Sequence, residues 1–547
     1  MVEGAHDTDL ITGRDFTAQV VRISWIVLFL AILFQLIFFA EITNIIAMTA
    51  VVFAWLITTK IWLRRRMLET YLISSFTIIG YAAAQFYFPL IFTTLENKPL
   101  VYNLELPEQV FLHSTACLLI VVVAHAIYRS VMESTPNKSF SLLGKAGFFD
   151  PPTHLQLWIM GMFGMASSFY VYFTNPEIGQ EITGSASDKL LAGLVPFTYA
   201  PFFIPISKLY GNHEKTPRGF GLMILLYAVF LFAISMARNS RGAFIFGLTN
   251  PAFAYGLGLL LGVFKTRIFT VRNFAVVGLV VWLLMGPFTD LGTAMLIVRG
   301  TRTDIPPAEL IANTLEALDD KKAIEARKAE DKMESMDFDW DERYLDNLFT
   351  ARFSNIKFND SNLITYSKVG EYDPDMQDYS LDQLLATLPD PILKLFNLDV
   401  DKDIVLALSF GDYLYVVSGG YGTPNGYRVG HLAGTGMATF GWWYLALFGV
   451  VIIPCFYLND KFFRKKTGVD LASAQAPEER FQFSYCGVLA LTTFFQFLLM
   501  ESVVNGATYL IRGWIQLVFL YILMFHSSRL LSNIVAGRRR HTQLKPN

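Results

Sequence analysis

The sequence predicts an all-α polytopic integral membrane protein, and three observations carry that prediction. Hydrophobic residues make up 53% of the 547-residue chain and charged residues only 16%, against roughly 25% charged in a soluble protein. Several apolar stretches reach about twenty residues, the length of a helix that crosses a bilayer. These stretches are continuous and do not alternate with a period of two, which argues against a β-barrel.

The apolar runs fall at about 22–40, 42–63, 67–94, 107–128, 154–174, 189–210, 219–237, 242–264 and 273–297, then at about 431–458, 482–503 and 507–530. Pro196, Pro201 and Pro205 predict a kink in the sixth, because proline lacks the helical donor and crowds the preceding turn. About twelve crossings put both termini on one side. Positive charge tests that count. The segments assigned to the cytoplasm, among them Arg64, Arg65, Arg66, Lys461, Arg464 and Arg538, hold 25 Lys/Arg; the short opposite loops hold five, Lys98, Lys189, Arg238, Arg241 and Arg512. The bias fits the positive-inside rule with both termini cytoplasmic. The chain then divides into residues 1–298 with nine helices, an extracytoplasmic loop domain at 299–430, and residues 431–547 with three helices and a basic cytoplasmic tail. No small-residue cleavage site follows the first run, which reads as an uncleaved anchor.

The loop domain holds 14 Lys/Arg and 25 Asp/Glu, while the remainder carries a net +9. No basic stripe with interleaved aromatics appears, so nucleic acid is not an expected partner. The loop reads as mainly helical. Asp304 before Pro306 and Pro307 marks a helix start, and Trp340, Tyr344 and Leu348 repeat at i, i+4, i+8. Ser380 with Gln383 has capping-box spacing, and the run from Lys321 to Glu334 reads as a solvated helix. Cys117, Cys455 and Cys486 all sit in apolar runs, which excludes a disulfide scaffold or a cysteine-based zinc site. There is no HExxH. Asp-x-Asp pairs such as Asp337/Asp339 arise by chance in so acidic a block, and no glycine-rich loop ends in Lys-Ser/Thr. No metal or cofactor is expected.

Candidate chemistry gathers at the outer ends of the helices. Arg238 and Arg241 lie in Ala237-Arg-Asn-Ser-Arg-Gly242, Arg302 and Arg428 flank the acidic block, and Arg512 opens the last run. Singly, each reads as a snorkelling side chain or the partner of a carboxylate. Together they suit a diphosphate, because a guanidinium holds two phosphate oxygens at once. Between Gly411 and Gly436 eight glycines interleave with Tyr413, Tyr415, Tyr421 and Tyr427, and Trp442, Trp443 and Tyr444 follow. Such rings suit the C–H faces of sugars, although the Trp442–Tyr444 group alone fits an interfacial belt. His431 lies three residues after Arg428 and is expected to accept a proton near pH 7. Glu501 is the competing base.

This layout resembles the O-antigen polymerase and ligase family of bacterial envelopes. The resemblance rests on about twelve helices with one large outer loop in the second half, and on the turn Ser240-Arg241-Gly242. It rests also on His431 and Gly441 in His-Leu-Ala-Gly-Thr-Gly-Met-Ala-Thr-Phe-Gly-Trp-Trp-Tyr. An Arg followed by Gly eleven positions later, described in some polymerases, is not matched, since Arg428 reaches Gly441 only after thirteen. The resemblance implies a metal-independent glycosyltransferase of the bacterial inner membrane that polymerises or ligates polyprenyl-diphosphate-linked oligosaccharide units. It implies arginines on the diphosphate and a histidine that activates the acceptor, with membrane lipids and other polysaccharide-assembly proteins as partners. Chemistry points the same way: nucleotide sugars are cytoplasmic, so an outer-face transferase needs a lipid-delivered donor whose diphosphate leaving group arginines can stabilise. Three alternatives stay open. One is a polysaccharide flippase or secondary transporter, whose sites usually lie near the bilayer midplane. Another is a membrane O-acyltransferase using His113 or His125. The third is a non-catalytic scaffold.

Overall fold

The computed structural model describes residues 13–134, 142–174, 186–237, 241–266, 270–301, 305–333, 340–347, 349–420, 428–465 and 481–543. Within them the protein is almost wholly helical, apart from one antiparallel pair of short strands, Phe463–Lys465 and Phe481–Phe483. Among the described residues, eight helices are long and apolar enough to cross a membrane: Phe16–Phe38, Ile42–Ile61, Leu72–Leu95, Pro107–Met132, Lys189–Tyr210, Phe220–Ala237, Trp443–Asp460 and Val503–Val535. Their exposed faces carry Phe29, Ile37, Leu222, Leu226 and Val450, side chains that lipid tails solvate and water does not. The protein is an all-α, multi-pass membrane protein.

The apolar residues fall into two large clusters. One joins the first four spans to Trp443–Asp460, and the other joins His154–Thr174, Lys189–Tyr210 and Phe220–Ala237 to the segments around residues 485–495 and 520–525. The span Leu72–Leu95 faces both, giving Leu72, Ile73 and Phe76 to one and Ile78, Tyr81 and Leu90 to the other.

Where the apolar runs break, the cause is local. The expected proline kink is present: Ala186–Leu194 passes into a 3-10 helix, Val195–Tyr210, with non-helical backbone at Ile206. The run expected at 431–458 is two helices, Leu432–Phe440 and Trp443–Asp460, parted by Gly441 at φ +53°. A Cβ there would come within 2.6 Å of the Tyr372 ring, so only glycine fits. The run at 482–503 is a strand end followed by two short helices, Tyr485–Leu489 and Leu491–Gln496.

Of the loop helices, Pro307–Asp319 and Lys321–Met333 form as expected. Ser380 does not start a helix. Asp373 caps the Met376 amide and Pro374 sets the first turn, so the helix runs Pro374–Ala386 and Ser380 is buried in its middle. Asp followed by Pro is the stronger start signal. Trp340 and Tyr344 lie in irregular chain, because Tyr344 is drawn into the bundle, where its hydroxyl donates to the Leu100 carbonyl at 2.5 Å.

The helix Ile356–Val369 stands where its polarity does not suggest. It belongs to the hydrophilic stretch of sequence, yet Ile356 and Leu363 pack in the same cluster as the first four spans. The Asn355 amide donates to the Ala84 carbonyl at 3.2 Å, in the middle of the span Leu72–Leu95. That carbonyl lies in a π-helical turn, Ala83–Tyr87, just before Pro89, and proline has no N–H to return to the preceding turn. Lys357 and Asp360 form a fully buried ion pair at 2.8 Å, and Asp360 also accepts from the Glu105 and Leu106 amides. Irregular and polar chain is tolerated beside membrane spans where protein, not lipid, surrounds it.

Candidate functional site

A cluster of charged groups forms where the helix Phe410–Val417 meets residues 428–431 and Glu501. Ser409 caps that helix by accepting from the Asp412 amide at 2.9 Å, and its hydroxyl donates to the Arg428 carbonyl at 2.6 Å. Asp412 and Arg428, sixteen residues apart in sequence, are thereby side by side. The Asp412 carboxylate, 2% exposed, accepts from both the Arg428 amide and its guanidinium at 3.2 Å. The guanidinium lies 3.8 Å from the centre of the Tyr415 ring, a cation–π contact that desolvation strengthens. The Trp340 indole meets Tyr415 edge-on and donates to Glu342 at 2.9 Å, and Glu342 also accepts from the Val429 amide.

Glu501 closes the cluster. It lies outside the eight spans, two residues before Val503–Val535, and its carboxylate accepts from the Phe410 amide at 3.1 Å and from the Gly430 amide. Glycine at 430 allows the close approach, because a Cβ there would stand 2.9 Å from the Glu501 Cβ and 3.0 Å from its carboxylate. Burial pushes the Glu501 carboxyl up to about 7, the two amides oppose the shift, and the Asp412 and Glu342 charges add to it. A carboxyl poised near neutrality can take or give a proton at working pH.

His431 is placed differently from the sequence expectation. It is 2% exposed and caps the helix Leu432–Phe440, its Nδ1 accepting from the Ala433 amide at 3.2 Å. Its Nε2 lies 2.9 Å from the Gln85 side-chain amide, which continues through Ser114 to Asn359. Both ring nitrogens are engaged inside the protein, so neither is available as base to a substrate hydroxyl.

The aromatic residues also divide. Tyr413 stacks one face on Tyr379 at 3.8 Å, and Tyr415 is buried beneath Arg428, so both serve packing. Trp442 stacks one face on His113 at 4.7 Å and remains 48% exposed. Tyr421 and Tyr427 lie outside the described residues. So do Arg238 and Arg302, while Arg241 opens the helix Arg241–Leu260. Arg512 sits in a π-helical turn, Tyr509–Gly513, a distortion frequent at functional sites. The histidines of the acyltransferase alternative are held in buried networks. His113 bonds the Tyr444 hydroxyl at 2.8 Å, and His125 lies between Trp62 and Ser74, whose hydroxyl donates to Asp460.

No protein-family model, curated protein or solved structure matches the chain. The site therefore rests on its own geometry. Sequence reasoning brought forward Arg428 and Glu501 and passed over Asp412, Glu342 and Trp340 as members of the cluster. Asp412 had a legible signal, the Ser-x-x-Asp spacing of Ser409 and Asp412. Glu342 and Trp340 had none, since only the fold brings them to Arg428.

Proposed function

We propose that the protein is a glycosyltransferase of the bacterial cytoplasmic membrane that joins polyprenyl-diphosphate-linked oligosaccharide units on the outer face. In this reading the chain makes about twelve crossings, both termini are cytoplasmic, and residues 299–430 stand outside. The observation that carries it is the Glu501 carboxyl, held against the Phe410 and Gly430 amides and raised by burial to about 7. Glu501 takes the proton of the acceptor hydroxyl. The acceptor oxygen bonds to the donor anomeric carbon as the bond from that carbon to the diphosphate oxygen breaks, and polyprenyl diphosphate leaves. Arg512 and Arg241, with Arg238 and Arg302, stabilise the charge that develops on the diphosphate. Arg428, already shared with Asp412, contributes less. Trp442, Tyr421 and Tyr427 offer ring faces to the sugars.

Cells lacking the protein should accumulate unextended lipid-linked oligosaccharide on the outer face of the membrane. Accumulation on the inner face would instead mark a flippase and overturn the reading.

A further expectation concerns the arginines. Arg512→Ala or Arg241→Ala should abolish product at normal membrane levels of protein, whereas Lys at either position should restore only part of it, since an ammonium lacks the bidentate fork. Measured polymer at the wild-type level in both alanine variants would remove the diphosphate role.

A further inference from the structure

Among the described residues, the hydrophilic stretch of the chain carries an exposed apolar patch. In the short helices Asp390–Leu395 and Lys402–Val405, and in the chain between them, Leu395 is 78% exposed, Phe396 66% and Ile404 64%, with Ile392 and Leu398 beside them. The hairpin is tied down from within. Lys402 bonds Asp390 at 2.6 Å and donates to the Leu388 carbonyl, and Leu393 and Val405 are buried. So many exposed large apolar groups on one small unit mark an interaction surface.

Two neighbours set the level at which this patch stands. Val405 packs in one apolar cluster with Val504, in the first turn of the span Val503–Val535. Lys189, the first residue of the span Lys189–Tyr210, lies near enough for its charge to act on Asp390. The hairpin is thereby held near the first residues of two spans, the end of an apolar helix that lies toward the bilayer interface. The segment from Asp390 to Val405 contains four Asp and two Lys, so attraction to anionic headgroups does not drive binding; apolar insertion does.

We propose that residues 390–404 form a membrane foot, with Leu395, Phe396 and Ile404 entering the lipid interface beside those spans. The partner is the bilayer itself. The inference rests on the multi-pass membrane placement and is independent of the proposed chemistry.

The three native cysteines are buried, so a cysteine added at the surface of the full-length protein can be labelled selectively. Phe396→Cys and Ile404→Cys would each carry an environment-sensitive fluorophore, with Lys322→Cys on the charged helix Lys321–Met333 as reference. In phosphatidylcholine vesicles, spin-labelled lipid should remove most of the emission at 396 and 404 and leave that at 322 unchanged, while aqueous iodide should do the reverse. Iodide quenching at both positions without lipid quenching would overturn the proposal. Protection from both quenchers would overturn it as well, because it would place a protein surface over the patch. Having two positions keeps the test decisive if one variant fails to insert.

Discussion

Glu501→Gln should lower turnover on lipid-linked oligosaccharide by about 10²–10⁴, the usual worth of a general base, with donor binding little changed. Glutamine keeps an oxygen for the Phe410 amide but cannot take a proton. Because the carboxyl sits at about 7, wild-type turnover should rise with pH through that value as the base ionises, and the variant should lose that limb. Stability should move the other way. A carboxyl raised by burial makes the charged folded form less favourable, a cost absent below the ordinary carboxylate range and complete above about pH 7. The variant should therefore melt higher than wild type at pH 8, and the two should converge at pH 4. His431→Ala, by contrast, should lose a helix cap worth about 1 kcal/mol and leave the pH profile in place. If Glu501→Gln keeps its rate while His431→Ala loses the rise of turnover with pH, the assignment of the base is wrong.

Breaking the buried pair Lys357–Asp360 should cost as much stability as truncating a large buried apolar side chain. Lys357 and Asp360 are 3% and 0% exposed, and removing one member leaves the other charged, buried and uncompensated, a loss of about 3–5 kcal/mol. Lys357→Met leaves Asp360 with the Glu105 and Leu106 amides, and Asp360→Asn removes the carboxylate that neutralises the ammonium, which keeps the Asn103 carbonyl. Either single variant should fall sharply in membrane level and melt early in detergent. The double variant should recover much of that loss, since no isolated charge remains and asparagine still accepts from the Leu106 amide. Equal melting of all four proteins would show that the Ile356–Val369 helix is not held by this pair.

Much of the fold was legible because its causes are local. The kink at Pro196–Pro205 follows from missing donors, and the helix from Pro307 follows from its start signal. The capping-box spacing at Ser380 shows the limit of such signals, since Asp373 and Pro374 start the helix a few residues upstream. Trp340 and Tyr344 show another limit: helical spacing yielded to one buried hydroxyl that finds a carbonyl in a distant segment.

The site was legible only in part. Arg428 and Glu501 stood out because charges at the ends of apolar runs are expensive and need a reason. Their partners did not stand out. Glu501 meets Phe410 across 91 residues of chain and Glu342 meets Val429 across 87, and no spacing rule reaches so far.

The sequence by itself determined the solvent of this protein. Transfer of apolar side chains into lipid is close to a sum over local residues, so composition and run length suffice to make it an all-α membrane protein. Which charged groups meet inside it was decided by the tertiary structure alone. The helix Ile356–Val369, polar in sequence, enters the bundle because the Ala84 carbonyl and the Glu105 and Leu106 amides, distant in sequence, supply it with bonds. The same packing buries His431 in a cap and sets Glu501 against two backbone amides and two carboxylates. Burial and neighbouring charge tune a carboxyl to neutral pH, and both are properties of the folded chain.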